Sequence, residues 1–546
     1  MSSILISLLL LLPSQRTQTL SRKAAEECTV QGVVVKAESG EPLKKAVVTL
    51  HEDGANNQGS SAATDATGRF EIKTGPGRYH MWAWRNGYVQ QYYGEHTPGG
   101  AGTTLSLGAG QKVSDIMFRL IPAAAITGHV YDEDGELVAR AQVSALSYSY
   151  SYPEGQRELA DHGYVQTNDL GEFRIYGLAP GQYYVRASYN AERYGLNPAP
   201  GGYLPIFYPG TADVGTAAPI VLRSGDEFSG VEISLQAVHT VTVRGRVFNA
   251  VGGQPAAHAS IFLVKRESDL LAHTFTQPAY SYVQDPQGAF ELRNVTPGTY
   301  YLYANLQEEG KDYGARMPLE VTNTDIEGVT LNVTRGLDIK DQLRVEGAAL
   351  SSLGSLGVNL QPKNEVISFG MGGHDYLKPD GSFLLGGVHD GDYDLYVFTL
   401  PEDYFLKSAR LDGNEVLASG LTIDAHEAPK LLEVVVSANG ARLEGVVEKD
   451  NHPFSGATVV LVPDPPHRND RRLFRETSTD QSGHYLLRGI APGDYKLFAW
   501  ENPERGAYRS ADFLQPFEDR GRSVNVREGA RLSVQLDLIP TKDSGR

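Results

Sequence analysis

One cysteine, Cys28, stands in 546 residues, so no disulfide can form within the chain and packed secondary structure must carry its stability. Nothing approaches 18 consecutive apolar residues, the least that a membrane-spanning helix needs. The apolar run from Ile4 to Leu12, inside Met1 to Pro13, is too short to cross a bilayer. It suits the core of a signal peptide, although basic residues are missing in front of it. Acidic residues outnumber basic ones, 66 to 49, for a net charge of −17, and no Lys/Arg run offers a track for phosphates. That balance argues against nucleic acid as a partner and disfavours anionic polymers.

Signatures of catalysis are missing too. A zinc carboxypeptidase needs a His-x-x-Glu pair and a distant histidine, because catalytic zinc takes three protein ligands and keeps one open position. None of the fourteen histidines heads that pattern, and His426-Glu427 would point to opposite faces of a strand. There is no Gly-x-Ser-x-Gly elbow, no phosphate-binding Gly-x-x-x-x-Gly-Lys loop and no cysteine nucleophile with a histidine partner. The sequence therefore points to no catalytic residue, no metal site and no cofactor. The acidic string Asp132-Glu133-Asp134-Gly135-Glu136 has oxygen ligands for calcium, but it is too short for an EF-hand loop and reads as a hairpin turn.

What is present is a phrase repeated five times. An aromatic residue (Phe70, Phe173, Phe290, Phe383, Tyr485) is followed by a Gly-x-Tyr turn ending at Tyr79, Tyr183, Tyr300, Tyr393 or Tyr495. The spacing is ten residues in four copies and nine in the first, and successive tyrosines lie 104, 117, 93 and 102 residues apart. A period near 100 residues is one small domain, so the pattern reads as beads on a string rather than a solenoid. Asp65, Asn168, Asp285 and Asp480 each sit three residues before a glycine. This is the chemistry of an Asx turn closed by a positive φ, and the fourth copy departs from it with Lys378-Pro379-Asp380-Gly381. Alternation such as Phe70-Glu71-Ile72 then predicts a half-buried strand.

Each copy opens on a Gly-x-Val strand (Gly32, Gly128, Gly245, Gly445), continues through Ala46, Ala141, Ala259 or Ala457, and closes on another alternating strand. In the fourth copy Gly347 is a poor match for the opening glycine. The expected fold is all-β, a tandem array of about five seven-stranded Ig-like or prealbumin-like β-sandwiches. The expected divisions are a signal-like segment at 1–25 and sandwiches at 28–122, 125–237, 241–334, 337–438 and 441–540. Their short joints, not rich in Gly or Ser, predict restrained rotation.

The phrase Gly-x-Val, Ala-x-Val, Asp-x-x-Gly-x-Phe, Pro-Gly-x-Tyr resembles the carboxypeptidase regulatory-like domain family. Copies one and two add Tyr92-Tyr93-Gly94 and Phe207-Tyr208-Pro209-Gly210, a longer form that resembles multi-copy proteins of bacterial envelopes. The resemblance implies a transthyretin-like sandwich of the carbohydrate-binding-like group. It implies no peptidase activity, because the shared residues are turn and core positions.

One constellation points to binding. In the strand after each Pro-Gly corner the tyrosine and its period-two partners face the core, so the alternate positions face outward. These are His80, Trp82 and Trp84 in copy one, Tyr301 and Tyr303 in copy three, and Phe498 and Trp500 in copy five. Copy two adds the comb Tyr148, Tyr150, Tyr152, alternating with serines. Such rows suit stacking on sugar rings or anchoring a protein partner. The alternative is that the segment after the strand, Gly87 to Gly110 in copy one, folds back over them. The reading that follows is an exported, non-catalytic binding or spacer protein, periplasmic, cell-surface or extracellular, with a carbohydrate or an envelope protein as partner. Two alternatives stand beside it: a purely structural scaffold, and an array of accessory modules serving a separate peptidase or transport system.

Overall fold

The computed structural model describes residues 27–53, 59–95, 98–100, 102–152, 154–189, 202–266, 279–353, 355–363, 373–424 and 431–540. The signal-like segment at 1–25 and His426-Glu427 lie outside the described residues. Among those described, no helix is long and apolar enough to cross a membrane.

The fold is all-β. In the first repeat one sheet orders Arg69–Thr74, Cys28–Lys36 and Lys112–Leu120, and its first and last strands in the chain run parallel. The facing sheet orders Gly59–Ala63, Val47–Glu52 and Gly77–Trp84, with Gln91–Tyr92 and Leu105–Leu107 both pairing with Gly77–Trp84. Val30, Val34, Val48, Leu50, Phe70, Tyr79, Met81 and Phe118 fill the space between. Repeats two, four and five build the same two layers. In repeat three a long hairpin, Gly298–Glu308 with Lys311–Val321, also pairs with Ile326–Arg335 and joins the layers into one eight-stranded sheet. Five of the buried hydrophobic clusters each contain the repeated aromatic and tyrosine of one copy.

The repeated letters serve backbone geometry. Asp65 Oδ1 accepts from the amides of Thr67 (2.8 Å) and Arg69 (2.9 Å), and Gly68 closes the turn at φ 74°. Asn168 and Asp480 repeat both contacts, while in the fourth copy Asp380 bonds Ser382 N at 2.9 Å. Asp132 caps its hairpin in the same way, accepting from Asp134 N and Glu136 N.

The Gly-x-Tyr turn has an equally local cause. In all five copies the tyrosine hydroxyl donates to the carbonyl four residues back: Gly75, Ala179, Thr296, His389 and Ala491, at 2.8–2.9 Å. The ring lies over the glycine, where a Cβ would come within 3.2–3.6 Å of it. Phenylalanine would fill the space but leave that carbonyl without its donor.

The opening glycine answers to sheet register. Gly32, Gly128, Gly245 and Gly445 stand opposite Phe70, Phe173, Phe290 and Tyr485. In each copy the parallel pairing with the closing strand is interrupted beside it. The irregularity aims a carbonyl at the glycine: a Cβ would stand 2.2, 1.8, 2.2 and 1.9 Å from the oxygens of Ile116, Val231, Val329 and Val534. In the fourth copy the residue opposite Phe383 is Asp341, and its pairing with Leu431–Ser437 runs unbroken. This corrects the alignment on Gly347. Without the bulge there is room for a side chain, and Asp341 Oδ1 accepts from Leu432 N at 3.2 Å.

The repeats do not hang as separate beads. Arg442 of the fifth grips Asp403 of the fourth through two bonds of 3.1 and 2.8 Å. The fifth also returns to the start of the chain. Thr104 Oγ1 meets Ser478 Oγ at 2.9 Å, and Gln481 bonds both the amide and the carbonyl of Ser106.

Candidate functional site

The outward row of the first repeat is built by strand pairing. Trp82 stands between Thr49 and Tyr92, His80 opposite His51, and Trp84 opposite Val47. Ring centroids lie 6.0 Å apart for Trp82–Tyr92 and 6.5 Å for His51–Trp82, with planes tilted by 54° and 35°. Trp84 is 46% exposed and Tyr92 39%, while Trp82 is half-buried. Among the described residues, the segment after the strand does not fold over Trp84. Its residues Gln91–Tyr92 pair alongside Gly77–Trp84 and lengthen the row by one ring.

Glu95 fixes this addition by accepting from Tyr92 N at 2.6 Å and Gly99 N at 2.5 Å, and burial raises its pKa. Beside it is a cavity of about 40 Å³ lined by Val89, Gln91, Glu95, Arg119 and Ile121, room for a water or two rather than a ligand. At the polar end of the row His80 and Arg78 approach Asp53 at 3.7 and 3.6 Å, and His80 foremost holds that carboxyl below its ordinary range.

The other predicted rows divide. Phe498 and Trp500 are both 1% exposed, so they are no ligand face, which corrects the sequence expectation. They stack at 4.9 Å with planes 10° apart and are covered by the strap at 501–521, whose Tyr508, Phe513, Leu514 and Phe517 complete a buried cluster. Nothing in the strap's pattern announced this, because its helical turns are three to six residues long.

Tyr303 is likewise 3% exposed and therefore closed to a ligand. Tyr301 is half-buried and flanked by the guanidinium groups of Arg266 and Arg316, 4.9 and 4.4 Å from its centroid. Two exposed tyrosines that sequence reasoning missed, Tyr280 and Tyr282, stand on the neighbouring edge strand Ala279–Tyr282. The Ala-Tyr-Ser-Tyr alternation was the available signal. Tyr92 offered none, because its strand is two residues long.

The tyrosine comb splits as well. Tyr148 is 39% exposed, edge-on to Tyr184 and beneath Arg157. Tyr150 and Tyr152 meet the fifth repeat instead. Tyr150 packs edge-on against Phe513, and its amide donates to Glu504 at 3.1 Å. Arg505 and Arg509 lie 4.8 and 4.7 Å over Tyr152, and Arg471 pairs with Glu154 at 3.1 Å. These two tyrosines hold an internal seam.

Among the described residues no group of three or more His, Cys, Asp or Glu side chains comes together to hold a metal ion. Ser147 Oγ and His162 Nε2 lie 2.7 Å apart, on the exposed side of a hairpin.

Residues 29–118 match the carboxypeptidase regulatory-like domain family, so the first repeat carries the domain that the sequence resembles. No curated protein matches the chain. Among solved structures, a streptococcal ancillary pilin is 11% identical, aligned over 57% of this chain and 99% of its own, with a TM-score of 0.21. A minor pilin of Streptococcus agalactiae is 11% identical over 39% of this chain and 96% of its own, with a TM-score of 0.21. The Bacillus anthracis TIE protein is 11% identical over 72% of this chain and 68% of its own, with a TM-score of 0.15.

Proposed function

We propose that this chain is an exported, non-catalytic array of β-sandwich repeats, divided at 28–122, 125–237, 241–334, 337–438 and 441–540, that binds an envelope component through the aromatic face of its first repeat. The observation that carries the reading is the exposure of Trp84 and Tyr92 beside Trp82 on one sheet face. Neighbouring exposed aromatic side chains on an ordered strand suit a partner that covers them. Export rests on the apolar run from Ile4 to Leu12.

The test is capture by the full chain on a carbohydrate array and from envelope protein extracts, repeated with Trp82→Ala/Trp84→Ala. Loss of a signal in the double variant, with the β circular dichroism unchanged, supports the face. Undiminished capture removes it.

A second reading, a scaffold without a ligand of its own, is favoured by the contacts that return the fifth repeat to the first and second. Silence on both capture assays would favour it. Service to a separate peptidase or transport system is a third reading, and co-purification of such a system with the chain would support it.

A further inference from the structure

The fifth repeat holds the same row as the first, already occupied. Tyr495, Lys496, Phe498 and Trp500 stand where the first repeat has Tyr79, His80, Trp82 and Trp84, each 416 positions later. The strands pair alike: Phe498 with Val460 and Trp500 with Thr458, as Trp82 pairs with Thr49 and Trp84 with Val47.

What covers the fifth row is protein. Tyr508 stacks on Trp500 at 6.3 Å, and Phe513 and Phe517 approach it at 5.8 and 5.9 Å. Leu514 completes the patch. Glu518 of the strap bonds Lys496, the counterpart of His80, at 2.8 Å. The second repeat also shuts its row from within: Phe207, Val214 and Ala217 pack with Tyr184, Leu146 and Leu159. In the first repeat the described part of the corresponding segment, Gln91–Tyr92, pairs beside the row instead, and Trp84 and Tyr92 are exposed among the described residues.

Ring geometry agrees. His51 and Tyr92 are tilted by 35° and 54° to Trp82, so the rings do not form one flat platform. Rings so tilted suit edge-to-face contact with further aromatic side chains.

We infer that the Trp82–Trp84–Tyr92 face docks a short helical segment of a protein partner bearing aromatic side chains spaced like Tyr508, Phe513 and Phe517. This deepens the binding reading above and rests on it. The chain supplies its own probe: a synthetic peptide of residues 503–520, dye-labelled at its N-terminus so that fluorescence anisotropy reports its arrival even on variants without Trp82 and Trp84.

Titrated onto the full chain, this peptide is expected to bind saturably and to lose about tenfold or more in affinity with Trp82→Ala/Trp84→Ala. Tyr92→Ala, at an exposed edge, provides a second variant that leaves the core untouched. The peptide carrying Phe513→Ala and Phe517→Ala is expected not to bind.

No saturable binding, or binding unchanged in the tryptophan and Tyr92 variants, overturns the inference. If the peptide fails while an oligosaccharide from the array is captured in a Trp82/Trp84-dependent way, the binding face stands and the peptide-docking inference falls. If neither binds and no envelope protein is captured in a Trp82/Trp84-dependent way, both fall.

Discussion

Replacing Asp341 by asparagine isolates one buried carboxyl whose environment follows from a missing β-bulge. Asp341 is 4% exposed, accepts a single bond from Leu432 N, and its Oδ2 is buried without a partner among the described residues. Burial raises its pKa from 3.8 to about 8. Between those values the folded chain keeps a proton that the unfolded chain has released. Stability therefore falls as pH climbs from roughly 4 and levels off above roughly 8.

At about 1.4 kcal/mol per unit, a separation of about 4 units comes to ~5 kcal/mol at about pH 9. Water reaching the charged form offsets part of this, so ~2–3 kcal/mol is the expected loss. Asparagine keeps the oxygen facing Leu432 and carries no charge. In calorimetry of the full chain, Asp341→Asn should leave the transition of the fourth repeat nearly unchanged at about pH 3.5, where the carboxyl is largely protonated folded and unfolded alike. At about pH 9 it should raise that transition by several degrees. A shift of equal size at both pH values would refute the argument, because it would mean that Asp341 does not titrate between them.

Four further variants have expected outcomes. Gly445→Ala should cost more than 3 kcal/mol or prevent the fifth repeat from folding, since its Cβ would stand 1.9 Å from Val534 O. Gly40→Ala, whose Cβ meets nothing within 4 Å, should cost only about 1 kcal/mol for its φ of 70°; denaturant midpoints compare the two. Tyr183→Phe removes one hydroxyl donor to a carbonyl and should cost about 1 kcal/mol in the same assay. Tyr152→Ala withdraws the ring beneath Arg505 and Arg509, so amide exchange across residues 505–514 should quicken while that of Gly77–Trp84 stays unchanged.

The turns, the tyrosine corners and the alternation were legible in the sequence because each is decided within a few residues. Asp65 bonds amides two and four positions on, and Tyr495 reaches a carbonyl four positions back. Asp341 was not legible, because whether its position needs glycine depends on the register of a strand about ninety residues away. The candidate site was half visible. Periodicity put Trp82, Trp84, Phe498 and Trp500 on outward positions correctly. Whether an outward position meets solvent depends on where the following segment lies, and no periodicity encodes that for Gln91–Tyr92 or for the strap at 501–521. The seam was beyond sequence reasoning, since Tyr150 and Glu504 are separated by 354 positions.

The contrast between an open row and a sealed copy of it can be measured directly. Three variants, each keeping one of Trp82, Trp84 and Trp500 and carrying phenylalanine at the other two positions, can be compared by iodide quenching of tryptophan emission. Trp84 should quench most strongly, Trp82 less, and Trp500 hardly at all. A Trp84 as shielded as Trp500 would contradict the account.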